Sequence, residues 1–249
     1  MVINGITYDR AGLAALMDFA VLDPGTTEVE LRACAETTIR YQFRGMHPNL
    51  IWAERTADLL EGTGIETGVV AAFPFGTLPT CEKVREVEAA CRVMRGRPAC
   101  IDFVTNVGAL RGGDYQTYSH DISEVVKAGH AYGYVVKAIM ESALLTDEEL
   151  AVGCRLAAEA GIDFVKTSSG RNGSPNIRAI RIMRENVGEQ VGVKFSGFGS
   201  YNAAPLAIMA IAAGATRLGS RRADAIIEEI ESCYQGLVIE NKSAHKRTT

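Results

Sequence analysis

The chain has 249 residues, of which 47% are hydrophobic, and its formal net charge is −4. That balance supplies no basic field for nucleic acid or an anionic membrane surface, and no apolar run reaches the roughly 18 residues of a membrane span. The opening "MVINGITYDR" has no apolar stretch behind a basic start, so it does not read as a secretory leader, and a cytoplasmic location is expected.

Short apolar runs alternate with amphipathic ones along the chain. "LAALMDFAVL" (13–22) reads as a first strand and "TTEVELRACAETTIRYQ" (26–42) as a helix. "FRGMHP" (43–48) and "TGVVAAF" (67–73) are strand candidates, followed by the helical pattern "TCEKVREVEAACRVMR" (80–95). "ACIDFVTN" (99–106) and "YGYVVKAIME" (132–141) come next. The helix in "DEELAVGCRLAAEAG" (147–161) opens with Thr146 and, three residues later, Glu149, a capping-box pair, and stops at Gly161. "GIDFVKTS" (161–168), "VGVKFSG" (191–197) and "ATRLGS" (215–220) complete the strand set.

Strand followed by helix, repeated about eight times, points to parallel strands with crossover helices, an α/β protein of the (β/α)8 TIM-barrel type. An open doubly wound sheet is the competing architecture, but no Gly-x-Gly-x-x-Gly follows the first strand. No Pro/Ser-rich linker interrupts the pattern, so one domain over 1–249 is expected, with a polar, frayed tail "NKSAHKRTT" from about residue 241. The six cysteines (Cys34, Cys81, Cys91, Cys100, Cys154, Cys233) are scattered without metal-ligand spacing, and read mostly as small buried hydrophobes in a reducing compartment.

Barrel strands are covered on both faces, so a charge inside one needs a reason. By the two-residue period, Asp102 shares a face with Cys100, Val104 and Asn106, and Lys137 with Val135, Ile139 and Glu141. Lys166 goes with Phe164 and Ile162, Lys194 with Gly192 and Ser196, and Asp18 with Leu16 and Ala20. Each charge is read toward the C-terminal part of its strand, where barrel enzymes build their sites. A lysine of ordinary pKa is protonated at neutral pH and cannot attack a carbonyl. Burial or a second ammonium lowers its pKa and frees an amine able to form a Schiff base. Two lysines with a carboxylate beside them therefore suggest imine chemistry.

At these residues the chain resembles the deoxyribose-phosphate aldolase family of class I aldolases. The matching segments run in family order: "ALMDFAVL" around Asp18, "AAFPFG" (71–76), "IDFVTNVGAL" around Asp102, "VVKAIMESALLTDEEL" around Lys137, "AGIDFVKTSSG" around Lys166 and "VGVKFSG" around Lys194. The resemblance implies a barrel that makes or breaks a carbon–carbon bond with neither metal nor organic cofactor. It implies Lys166 as the Schiff-base lysine, Lys194 as the lysine that lowers its pKa, Asp102 as the carboxylate of a proton relay, and Lys137 as a member of the same network. The type reaction splits 2-deoxy-D-ribose 5-phosphate into acetaldehyde and D-glyceraldehyde 3-phosphate. A homo-oligomer, dimer or tetramer, is implied as well.

For substrate binding the resemblance points to Asp18, to Gly170 and Arg171 in "TSSGRNG", to Gly197 and Gly199, and to Gly219, Ser220 and Arg221. Phe198 stands where a second glycine is usual, and a following arginine is missing. Arg221 and Arg222 replace small residues and are read into the first turn of a helix. These departures open an alternative, a ketone or hydroxyketone donor or a carboxylate-bearing substrate. His47, near the family's usual cysteine, reads as a structural residue, and Phe73 or Phe75 as a pocket wall. A barrel that has lost catalysis fits poorly with Asp102, Lys137, Lys166 and Lys194 being present together.

Overall fold

The computed structural model describes residues 1–198 and 203–240. Gly199, Ser200 and the tail from 241 lie outside the described residues.

Eight parallel strands close into a barrel: β1 (Met17–Val21), β2 (Gly45–Pro48), β3 (Glu66–Ala71), β4 (Ala99–Val104), β5 (Val135–Ile139), β6 (Phe164–Lys166), β7 (Gly192–Ser196) and β8 (Arg217–Ser220). Each pairs with the next, and β8 returns to β1 with Gly219 opposite Asp18. That closure makes the fold a (β/α)8 barrel and excludes the open sheet. All six residues of β4 are buried, as a strand between an interior and a helical shell must be.

The helices form where the sequence supplies both a stripe and a cap. Thr27 and Thr146 each cap a helix, over Glu28–Tyr41 and Asp147–Glu159, and each is answered by a glutamate, Glu30 and Glu149, in a full capping box. Asp147, Glu148 and Glu149 crowd the first turn, where the helix dipole favours negative charge. Leu150, Gly153, Cys154 and Ala157 form the buried stripe of that helix at helical spacing.

Inside the barrel, small residues make room for large ones. A Cβ on Gly68 would stand 2.2 Å from His47 Nε2, and one on Gly192 would stand 2.1 Å from the Phe164 ring. These glycines are what lets an imidazole and a phenyl ring occupy the interior.

Three features differ from the expected pattern. Leu13 and Ala14 belong to a short helix, Arg10–Ala14, capped by Asp9, so the first strand begins only at Met17. β5 ends at Ile139, and Glu141 takes a left-handed conformation (φ 53°) instead of continuing the face of Lys137. Asn106 likewise leaves its strand and caps the helix Val107–Arg111. A small sheet was also not anticipated: Val2–Ile3 pairs with Ile6–Thr7 across Asn4-Gly5 and with Val238–Ile239. The Asn-Gly between two apolar pairs was the hairpin signal.

Candidate active site

Parallel register brings the barrel's charged residues together. Asp102 stands opposite Lys137, and Lys166 opposite Lys194. Lys166, the last residue of β6, places Nζ 2.7 Å from Asp102 Oδ2. Lys194 Nζ lies 2.9 Å from the same oxygen and 2.7 Å from Asp18 Oδ2. Lys137 Nζ is 3.1 Å from Asp102 Oδ1. One carboxylate thus faces three ammonium groups. The expectation that every charge lies near a strand's C-terminal end needs correction: Asp18 is the second residue of β1, and Lys137 and Lys194 are central in β5 and β7. Only Lys166 ends its strand, so it is the amine that leads into the loops.

Burial and charge set the protonation states. Burial, only partly opposed by Asp102 and reinforced by Lys194, lowers Lys166 to about 8. Burial alone would raise Asp102, but Lys137, Lys166 and Lys194 override it and hold the carboxyl well below the usual range. Burial would lower Lys137, yet Asp102 wins and raises it. The result is one amine poised to shed its proton while the adjacent carboxylate keeps its charge.

Three participants were missed or misread in the sequence. His47 is buried at the centre of the cluster, its Nε2 3.3 Å from Lys194 Nζ, and burial lowers it to about 4, so it is neutral at pH 7. Its Nδ1 has no partner among the described residues. Arg217 is buried and grips Asp18 with two bonds, Nε at 2.8 Å and Nη2 at 2.7 Å, and Nη2 also reaches Glu66 at 2.6 Å. Glu141, also buried, organises the loop after β6. It accepts from the Ser168 hydroxyl (2.7 Å), the Ser169 N–H (3.1 Å) and Asn172 Nδ2 (3.1 Å).

That loop forms part of a cavity of about 420 Å³ at the C-terminal mouth, where Gly170, Arg171, Gly197, Phe198, Ser220 and Arg221 converge. Phe19, Ala20, Val21 and Phe73 give it an apolar wall, whereas Phe75 is exposed. Gly170 and Gly197, expected to admit a ligand, first admit each other: a Cβ on Gly170 would lie 2.9 Å from Gly197 Cα, and both have positive φ. Gly219 makes room for Lys194, whose Cε would be 3.1 Å from an added Cβ. Asp18 does not line this cavity; it faces Arg217, Lys194 and, at 3.6 Å, His47.

Arg171 is exposed and donates to the Leu22 carbonyl (3.0 Å), tying the loop after β6 to the end of β1. Phe198 stacks on Phe195, centroids 4.7 Å apart. Arg221 and Arg222 are exposed and precede the helix Ala223–Cys233 rather than occupying its first turn, and the Arg222 N–H donates to Ser220 Oγ at 3.1 Å. A second hollow, about 520 Å³, opens at the opposite mouth beside Glu66, Ala99 and Val135, at the N-terminal ends of the strands, whereas the first is walled by the loops that follow Lys166 and Lys194. The six cysteines are all free; Cys91, Cys100 and Cys154 are buried, while Cys81 and Cys233 are exposed.

No family model matches the chain. Its relatives are nevertheless consistent in kind. The deoxyribose-phosphate aldolase of Aciduliprofundum boonei is 39% identical over 224 residues, covering 90% of this chain and 99% of that one. Deoxyribose-phosphate aldolase 1 of Bacillus licheniformis is 37% identical over 217 residues, covering 87% and 95%. Among solved structures, the tetrameric deoxyribose phosphate aldolase from Aeropyrum pernix superposes with a TM-score of 0.81 at 26% identity, over 90% of this chain and 93% of that one. With the barrel, the lysine pair on one carboxylate and near full-length relatives at this identity, the chain belongs to the deoxyribose-phosphate aldolase family.

Proposed function

We propose that the chain is a single-domain class I aldolase that splits 2-deoxy-D-ribose 5-phosphate, or the reverse, through a Schiff base on Lys166. The observation that carries this reading is the Lys166 amine, lowered to about 8, against a carboxylate shared with Lys194. At pH 7 roughly one Lys166 in ten is then the free amine, several hundred times the fraction of an ordinary lysine.

That amine adds to the C1 aldehyde, and loss of water gives the iminium. Removal of the C3 hydroxyl proton breaks the C2–C3 bond, because acetaldehyde retains C1 and C2. The electron pair passes to C2 as an enamine, the C3 oxygen becomes the aldehyde of D-glyceraldehyde 3-phosphate, and a proton returned to C2 precedes hydrolysis from Lys166. Asp102, ionised and touching Lys166 and Lys194, is assigned the proton relay; Lys137 holds its other oxygen. Asp18 is assigned to hold Lys194. Gly170, Arg171, Gly197, Gly199, Gly219, Ser220 and Arg221 are assigned to the anion, with Gly199 outside the described residues.

We assign no metal or organic cofactor. His47, Cys100 and Asp102 offer donor atoms within 4.8 Å of one another, but the three ammonium groups around Asp102 oppose a cation there. Arg171 and Arg221 at a mouth containing Phe198 favour a second reading, the same imine chemistry on a carboxylate-bearing partner. A homo-oligomer, dimer or tetramer, is proposed from the tetrameric Aeropyrum relative. Small-molecule substrates rather than nucleic acid or membrane, and a cytoplasmic location, suit the net charge of −4 and the absence of a helix long and apolar enough to cross a membrane among the described residues.

Borohydride reduction with acetaldehyde should add the ethyl mass at Lys166. No adduct with any small carbonyl would refute the imine reading. Release of D-glyceraldehyde 3-phosphate in a coupled assay separates the first substrate reading from the second.

A further inference from the structure

The lysine cluster does not end at Asp18. A continuous line of opposite charges runs down the barrel interior from Lys166 to Asp102, Lys194, Asp18, Arg217 and Glu66, each within 2.9 Å of the next. Glu66 then meets Arg44 at 2.7 Å, whose side chain is 53% exposed at the opposite mouth. The buried part of this line has a definite composition. Lys137, Lys194 and Arg217 are its cations; Asp18 and Asp102 are its anions, joined by the partly exposed Glu66; His47 and Cys100 sit among them as neutral groups. With the solvent-exposed Arg44 set aside, those cations and anions match in number. Lys166 is the remaining cation, and the anion it touches, Asp102, is already shared by Lys137 and Lys194.

We propose that Arg217 and Glu66 are positioning residues of the reaction: they fix Asp18 on Lys194 and balance the charge of the cluster in which Lys166 reacts. The geometry supports a dedicated role. Arg217 presents two nitrogens to both Asp18 oxygens, a planar fork that a lysine would not reproduce. With Asp18 so held, its Oδ2 can keep Lys194 between two carboxylates, beside the strand that bears Lys166. A cluster that is neutral only when Lys166 is neutral makes that lysine the one from which a proton leaves at least cost. The inference rests on the imine reading and specifies what makes it work.

The two residues carry opposite charge, so their removal has opposite consequences. Arg217→Met leaves the cluster with an excess anion, which favours protonated Lys166. Glu66→Gln leaves an excess cation, which favours the free amine. Neither residue is placed to touch substrate, and a role confined to packing would not give effects of opposite sign.

The test measures the rate of borohydride-trapped adduct formation with acetaldehyde at Lys166, by peptide mass, from pH 6 to 10, normalised to a free amine reduced under the same conditions. The midpoint is expected to rise by about one pH unit in Arg217→Met and to fall by about as much in Glu66→Gln. Arg217→Lys, which keeps the charge but not the fork, is expected to retain the wild-type midpoint at a reduced rate. Midpoints that stay put, or that move in the same direction in both variants, would overturn the inference. Should Arg217→Met not fold, Glu66→Gln decides alone: an unmoved or raised midpoint overturns it. Absence of a wild-type adduct would instead overturn the imine reading, and this inference with it.

Discussion

If Lys166 is held in the barrel with a lowered pKa, the protein is less stable for it, and Lys166→Met should show by how much. The unfolded chain keeps this proton up to an ordinary 10.5, whereas the folded chain releases it at about 8. Between those values the unfolded state binds more protons, so wild-type stability rises with pH through that window. Below pH 8 the full cost is present, and the gap corresponds to about 3 kcal/mol, attraction to Asp102 included. Methionine fills most of the same volume without charge, so Lys166→Met should gain about that much at pH 7. For a chain of this size that is a rise in Tm of roughly 6–12 °C. The gain should shrink progressively from pH 8 and be nearly gone by pH 10.5. Urea denaturation of both proteins at pH 7 and pH 10.5, followed by tryptophan fluorescence and circular dichroism, measures it. A variant no more stable than wild type at pH 7, or a gain unchanged at the higher pH, would refute the claim that Lys166 is strained by its burial. The same variant should form no reducible adduct.

Two further outcomes follow from the site. The rate constant kcat/KM should climb with a midpoint near pH 8 as Lys166 loses its proton, and a flat profile between pH 6 and 9 would contradict that assignment. Glu141→Gln puts an amide where a carboxylate accepts from Ser168, Ser169 and Asn172. The KM for 2-deoxy-D-ribose 5-phosphate should rise on the order of tenfold as the loop loosens, with a much smaller change in kcat/KM for unphosphorylated 2-deoxyribose. Equal losses on both substrates would show that Glu141 acts on the lysines rather than on the anion loop.

The legible and illegible parts of this molecule divide along a physical line. Eight strands, the capping box at Thr146, and the face that each of Asp102, Lys137, Lys166 and Lys194 takes within its own strand follow from short-range patterns. What periodicity cannot supply is the partner across the barrel. Arg217, in "ATRLGS", looks like one charge in a short strand; its bidentate contact joins it to Asp18 across 199 positions of sequence and exists only because β8 closes on β1. Glu66 lies one residue before the apolar run that marks its strand, so the two-residue pattern does not include it. Glu141 falls on the face of Lys137 only if the two-residue alternation continues past Ile139, and there the backbone turns left-handed.

The glycines show the same division. Gly170 and Gly197 have the sequence signature of openings for an anion, but each also stands where the other's backbone would collide with any side chain. Gly68 was an unremarked strand residue, yet without it His47 could not enter the interior beside Lys194. A barrel that buries charge must bury the countercharge with it, because an uncompensated ion in the interior costs more than a fold can offset. The readable charges, three lysines against Asp18 and Asp102, leave one positive charge over and therefore demand a further carboxylate on the inner wall. That demand, applied to the inward positions of each strand in turn, selects Glu66 on β3, and Arg217 on β8 is the cation that links it to Asp18.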